Sequence, residues 1–403
     1  MGYGIETRCC HGVTKIVEEH SFGAVSVPIY QTATFAHRGI GESTGHDYSR
    51  VSNPTRDELE QTVSSLEGAV DTLAFSSGMA AVSLALELFD GGDHLICSED
   101  LYGGSVRMFS AVGERRGLSF SYVCTSDERL VEAAVRPETK ALYIETPSNP
   151  TMQITDLRAM KALADRHHLL LIVDNTFLSP YFQRPLELGA DLVIHSGTKY
   201  LAGHNDTLAG FLCVRDKGTA ERLRYLYKTV GNCLSPFDSY LTLRGIKTLA
   251  VRMERQQANA MALAEWLKGQ RKVEQVFYAG LPEHPGHQVQ KGQGDGFGSM
   301  ISFTVDTEET ARRILERVRL IVYAESLGGV ESLITYPLLQ THSDVPKEVR
   351  EHLGITERFL RLSVGIENAE DLIGDLAQAM EDREEGHGEI AGRTDGEENQ
   401  DEV

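Results

Sequence analysis

Between about residue 55 and residue 214, short apolar runs alternate with stretches of helical spacing. The runs Thr72–Phe75, His94–Cys97, Ser119–Val123, Ala141–Ile144, Leu169–Val173, Leu192–Ile194 and Gly210–Val214 predict strands. Arg56–Leu66, Gly78–Phe89, a stretch reaching Val135 and the segment Asp156–His167 predict helices. Continuous apolar strands alternating with helices predict an α/β fold, a doubly wound and mostly parallel sheet. Near Phe237 the pattern changes. Apolar positions at helical spacing from Tyr240 through Leu267 predict one connecting helix. Beyond it, strands at Met300–Val305 and Leu360–Val364 and helices at Glu308–Val318 and Asp371–Met380 predict a smaller α+β domain. The Gly-rich stretch Lys291–Gly298 predicts a loop.

The first 45 residues show few helical periods, and Val25–Phe35 looks extended. They predict an arm that packs elsewhere on the molecule or on a partner subunit. The expected organisation is an arm over 1–45, a large domain over 46–237, a small C-terminal domain over 238–380 and a tail over 381–403.

The 403 residues are 41% apolar, enough for a large core, and carry a formal net charge of -20. That sign argues against an electrostatic nucleic-acid footprint. Part of it is local: Glu381–Val403 holds ten acidic and two basic residues, a net of -8. The segment nearly lacks large apolar residues and is expected to be a disordered, solubilising tail. Six cysteines are scattered without metal-site spacing, so no metal is expected. Cys97, Cys124 and Cys213 lie in apolar runs and are expected in the core. No apolar stretch approaches membrane-spanning length, and no signal-peptide core precedes the arm. A reduced, cytoplasmic protein without membrane partners is the simplest expectation.

The strand Leu192–Ile194 ends in His195-Ser-Gly-Thr-Lys199, presenting hydroxyls and an amine. In a parallel sheet such a strand end builds a site in the crevice beyond it. A primary amine beside phosphate-sized hydroxyl donors is what a Schiff base to pyridoxal 5'-phosphate requires. Taken alone, Lys199 also reads as a solvated loop lysine. Asp174 ends the preceding strand and could neutralise a protonated ring nitrogen, or cap a helix. Gly78 and Met79 open a helix after a strand, an anion site or a plain turn. Tyr102, before two glycines, could stack on a flat ring or simply pack. Arg361, in an apolar strand, must reach solvent or find an anion, either a substrate carboxylate or a structural salt bridge. Dinucleotide and Walker-type fingerprints are absent.

Taken together, these segments resemble the cystathionine/methionine-metabolism family of pyridoxal-phosphate enzymes, the trans-sulfuration family. The resemblance rests on Tyr48-Ser-Arg50-Val-Ser-Asn-Pro-Thr55, Ser77-Gly-Met-Ala-Ala81, Leu101-Tyr-Gly-Gly104, Glu145-Thr-Pro-Ser-Asn-Pro150, Val173-Asp-Asn-Thr176 and His195-Ser-Gly-Thr-Lys-Tyr-Leu201. Ala324-Glu-Ser-Leu-Gly-Gly-Val-Glu-Ser332 and Leu360-Arg-Leu-Ser-Val-Gly365 extend it, so it runs from about residue 5 to residue 380. It implies the fold type I, aminotransferase-like architecture and a homotetramer of two tight dimers.

The resemblance makes Lys199 the Schiff-base lysine and catalytic base, Asp174 the ring-nitrogen partner and Tyr102 the stacking residue. Gly78, Met79, Ser196 and Thr198 become phosphate ligands. Tyr48 and Arg50 would reach the neighbouring subunit's cofactor, and Asn149 would lie near the cofactor's 3-hydroxyl. Ser326 and Arg361 would hold the substrate carboxylate. Asp47, Arg107 and Glu325 would line the substrate pocket, with Glu325 able to hold a distal amine. Gly104 stands where methionine γ-lyases usually carry cysteine, which counts against that activity. His37-Arg-Gly-Ile-Gly-Glu-Ser-Thr44 and Thr335-Tyr-Pro337 most resemble bacterial γ-synthases. Gly197 departs from the commoner alanine. The leading expectation is γ-replacement of an O-acyl-homoserine with cysteine to give cystathionine. Cleavage of cystathionine at Cγ or Cβ is the alternative. A non-catalytic descendant is disfavoured because every cofactor-contact position is retained.

Overall fold

The computed structural model describes residues 3–12, 22–343 and 345–382, and among them the apolar runs form two sheets. The larger contains β1 (Asp71–Phe75), β2 (His94–Ser98), β3 (Ser119–Val123), β4 (Thr139–Glu145), β5 (Leu170–Asp174), β6 (Leu192–Ser196) and β7 (Gly210–Val214). Its order is β1-β7-β6-β5-β4-β2-β3. Only β7 runs against the rest, pairing antiparallel with β1 and β6. The chain is therefore α/β with a mostly parallel sheet. Alternate residues of the central strands feed separate cores. Leu142, Ile144, Leu171, Val173 and Val193 pack on one face. Tyr143, Ile172, Leu192 and Ile194 pack on the other. Burial on both faces is why these strands read as continuous apolar runs.

The smaller sheet contains β8 (Val273–Phe277), β9 (Met300–Val305), β10 (Val322–Tyr323), β11 (Leu333–Thr335) and β12 (Phe359–Ser363), in the order β10-β11-β12-β9-β8. It has its own core, with Phe303, Leu360 and Leu362 against Leu263, Leu267 and Leu376 from two helices.

Several expectations need correction. The connecting segment is two helices, Pro236–Ile246 and Leu249–Lys268. The Gly245 carbonyl, which would accept from Leu249 in a continuous helix, instead receives Thr248 N–H, the Thr248 hydroxyl and Arg252 Nη2. The arm contains a helix, Ile5–His11, that buries Cys9. Val25–Phe35 forms no strand; it makes one isolated bridge, Thr34 to Tyr48. The loop expected from Lys291 begins only after the helix His287–Gln293. Cys97 and Cys213 are buried, but Cys124 is only partly so. It sits 3.0 Å from the Ser126 hydroxyl and 3.4 Å from Gln153 Oε1. Most of the acidic tail lies outside the described residues. No helix among the described residues is long and apolar enough to cross a membrane.

Candidate active site

Because β1, β2, β4, β5 and β6 run the same way, their carboxyl ends share one edge of the sheet. A cavity of about 220 Å³ opens there. It is lined by Gly78, Met79, Tyr102, Asn149, Asp174, Ser196, Thr198, Lys199, Glu325, Ser326 and Arg361, among others. One cavity thus collects residues scattered over more than 280 positions of sequence, in the crevice beyond the carboxyl ends of the strands of an open α/β sheet.

Lys199 lies just past β6. Its Nζ donates to Ser326 Oγ at 2.8 Å. Burial pushes the ammonium down to about 8; the Arg361 charge adds to the fall and Glu325 opposes it. An amine so lowered is partly free near neutral pH, as a Schiff-base lysine must be. Ser326 holds a positive φ of 96°, unusual for a non-glycine residue, at the point where it meets the lysine.

At the other side of the lysine, the helix Gly78–Leu86 begins under the cavity with Ser77 as its N-cap. A Cβ at Gly78 would come within 3.0 Å of Ser196 Cβ, so glycine lets the helix start approach β6. Thr198 Oγ1 accepts from Ala209 N–H at 3.0 Å and donates to the Ala209 carbonyl at 3.3 Å. Gly197 has a local cause: a Cβ there would lie 2.9 Å from Ala209 Cβ and overlap the Phe211 ring.

Asp174 accepts from both Thr176 N–H (3.0 Å) and the Thr176 hydroxyl (2.6 Å). Burial raises its pKa. In register beside it on β4 stands Glu145, 6% exposed and raised well above the usual range by burial and then by Asp174. Glu145 Oε2 accepts the Tyr102 N–H at 2.9 Å and so fixes the start of the helix Gly103–Met108. A protonated ring nitrogen set against these two buried carboxyls would favour their charged form.

Arg361, on β12, is 1% exposed. Its Nη1 donates to Asn149 Oδ1 at 2.7 Å, and its Nη2 to the Ser326 carbonyl and Thr335 Oγ1 at 3.2 Å each. Its buried Nε has no partner. Burial lowers the guanidinium to about 10, still charged at neutral pH. A buried cation with an unfilled N–H is suited to a carboxylate ligand.

Not every expected residue converges on this cavity. Tyr48 and Arg50 are exposed, with Arg50 donating to the Lys228 carbonyl and its guanidinium 5.6 Å from the Tyr48 ring centre. Asp47 accepts from Ser43 Oγ (2.9 Å) and faces His37 Nε2 (2.8 Å). Arg107 is exposed on the helix after Tyr102 and outside the cavity lining. Glu145, Thr176 and Thr341 were missed by sequence reasoning. Glu145 carried a signal, since it ends a strand one position before Thr146-Pro147. Thr341 carried none.

The donor set fits a phosphorylated pyridine aldehyde: a lowered amine, buried carboxyls, a helix start opposite a hydroxyl pair and an aromatic ring. Fold and site together define a pyridoxal-phosphate-dependent enzyme of fold type I. Residues 6–381 match the model of the Cys/Met metabolism PLP-dependent enzyme family, and the chain belongs to that family. It is 48% identical over 376 residues to "Cystathionine gamma-lyase" of Bacillus subtilis, covering 93% of this chain and 99% of that one. It is 46% identical over 377 residues to "Cystathionine beta-lyase" of Lactococcus lactis subsp. cremoris, covering 94% and 99%. Among solved structures, cystathionine gamma synthase from Xanthomonas oryzae pv. oryzae in complex with cystathionine superposes with a TM-score of 0.92. That pair shares 41% identity over 94% of this chain and 98% of the other. The chain is a pyridoxal-phosphate-dependent trans-sulfuration enzyme of cystathionine metabolism.

Proposed function

We propose that the enzyme catalyses replacement at Cγ: the thiol of cysteine displaces the acyloxy group of an O-acyl-homoserine, giving cystathionine. The observation that carries this reading is the contact of Lys199 Nζ with Ser326 Oγ at 2.8 Å, in a cavity that also contains Glu325 and Arg361. When bound, the cofactor supplies an electron sink for a carbanion next to the amine. Arg361, braced by Asn149, takes the α-carboxylate, and Ser326 lies beside it. Lys199 then removes the Cα proton and, from the same position, serves Cβ. Glu325 gives a carboxylate for the distal ammonium of cysteine or cystathionine. Its charge is felt by both Lys199 and Arg361. Tyr102, on the cavity wall, would stack on the ring. Gly104 supports a site without a reactive thiol, because a Cβ there would overlap the Tyr102 ring.

Asp174 is assigned to the ring nitrogen, and Gly78, Met79, Ser196 and Thr198 to the phosphate. Tyr48, Arg50 and Asp47 are assigned to a second subunit's site, within a homotetramer in the cytoplasm. Their absence from this chain's own cavity supports that assignment. The larger sheet falls inside 46–237 and the smaller inside 238–380, which supports those ranges as the two domains.

Cleavage of cystathionine is the second reading. It is favoured by the relatives named for γ-lyase and β-lyase at 48% and 46% identity. A steady-state product assay decides. The expected result is cystathionine from cysteine and O-acetyl- or O-succinyl-homoserine. Rapid 2-oxo acid release from cystathionine, with no cystathionine formed from either ester, would overturn the first reading.

A further inference from the structure

Arg361 is steadied by Asn149, and Asn149 is steadied in turn from outside the reacting set. His342 lies in the segment between β11 and the helix Lys347–His352 and is 1% exposed. Its Nε2 is 3.1 Å from the Asn149 main-chain oxygen, and its Nδ1 is 2.8 Å from Thr341 Oγ1. A carbonyl oxygen only accepts, so Nε2 carries the proton. In the neutral ring Nδ1 then accepts from the Thr341 hydroxyl. Thr341 lines the cavity. Its carbonyl abuts Gly103, where a Cβ would overlap it, so the same segment touches the turn that carries Tyr102.

We propose that His342 is a positioning residue that pins the Thr341 wall to Asn149 and thereby fixes the Asn149–Arg361 pair that receives an amino-acid carboxylate. The proposal rests on reading Arg361 as the carboxylate holder. Without the pin, the Asn149 main chain would lose a buried donor and Arg361 its fixed brace. Burial, and then the Arg361 charge, push the imidazole down to about 4. The charged groups facing it are Arg361 from β12 and Arg350 from the helix Lys347–His352. Two cations and burial keep the ring neutral, which preserves the one-donor, one-acceptor pattern the pin requires.

The test uses holoenzyme. Glycine, an amino acid without a leaving group, is titrated against the cofactor's absorbance, and KM and kcat are measured for the sulfur substrate. His342→Phe keeps a flat ring and removes the hydrogen bonds of the imidazole, to the Asn149 carbonyl and Thr341 and also to the Leu101 main chain. It should raise the glycine Kd and KM about tenfold while kcat stays within about twofold. His342→Gln restores a donor and should return both constants to within about threefold of the parent. A folded His342→Phe variant with unchanged Kd and KM would overturn the pin, as would a glutamine variant no better than phenylalanine. Should His342→Phe fail to fold, Thr341→Val carries the test. It should raise both constants about threefold, and no rise overturns the proposal. Arg361→Lys separates the two readings. Undiminished glycine binding there defeats the carboxylate assignment, whereas lost binding there with an unaffected His342→Phe defeats the pin alone.

Discussion

Arg252 and Arg361 are both buried in this fold, and they differ in what they leave unfilled. Arg252 is 3% exposed, Arg361 is 1% exposed, and burial lowers each to about 10. Every nitrogen of the Arg252 guanidinium has a partner: Nε donates to Thr248 Oγ1, Nη1 to the Tyr200 carbonyl, and Nη2 to the Gly245 and Leu201 carbonyls. It locks the segment after Lys199 to the break between two helices. Arg361 keeps an unpartnered Nε and faces a cavity. Burial and charge alone therefore do not mark a functional cation; an unmet hydrogen bond at a cavity wall does.

The sharpest way to test that distinction is at the residue both arginines flank. Lys199→Ala should cut turnover by about 10²–10⁴-fold, because it removes the group that moves the proton. The cofactor's absorbance in the same sample should lose the band of the lysine-bound form. Thermal stability should change little, since Lys199 makes one side-chain hydrogen bond, to Ser326. Turnover within tenfold of the parent would place the base elsewhere.

Arg252→Met should show the opposite profile. It strips donors from three main-chain carbonyls, at about 1 kcal/mol each, for a loss of roughly 3 kcal/mol. The readout is the midpoint of denaturant unfolding. KM of the folded fraction should stay within about twofold, the bound expected for a residue outside the cavity. Arg361→Lys should do less to stability and more to binding. A lysine keeps the charge and can keep part of the bonding but loses the planar fork, so KM should rise about tenfold or more while the unfolding midpoint falls by less than in Arg252→Met. If the two substitutions gave the same profile, the unfilled Nε of Arg361 would carry no functional meaning.

The contrast also explains what was legible in the chain. The larger sheet was readable because β4, β5 and β6 are buried on both faces and so spell continuous apolar runs. Lys199, Asp174 and Gly78 were readable because each sits directly at a strand end or helix start, where sequence order and spatial order coincide. The break before Arg252 was not, because it depends on who takes the Gly245 carbonyl, a tertiary event. Arg361 was ambiguous for the same reason: its partners Asn149 and Ser326 come 212 and 35 positions away. Glu145 was hidden in plain view, its role resting on its in-register neighbour Asp174 and on the Tyr102 N–H it accepts.

The smallest effect is expected at Ser326, which shares features of both arginines. Its φ of 96° is a conformation glycine adopts freely, so Ser326→Gly relieves strain of about 1 kcal/mol. It also removes the hydroxyl that accepts from Lys199, a loss of similar size, so net stability should move by less than about 1 kcal/mol. The pH dependence moves in one direction. That hydroxyl favours the charged lysine, so its loss lowers the Lys199 pKa below its present value of about 8. Free amine then exists at lower pH, and reconstitution of apoprotein with pyridoxal phosphate should reach half its maximal rate at a lower pH than in the parent. Linkage gives the matching sign. A lysine lowered from 10.5 to about 8 makes the apoprotein more stable as pH rises through that window, where the unfolded chain holds the proton and the folded chain has released it. Ser326→Gly widens the window at its lower edge. A raised melting temperature with an unmoved reconstitution midpoint would make Ser326 a structural residue like Arg252, its strain unconnected to the amine it touches.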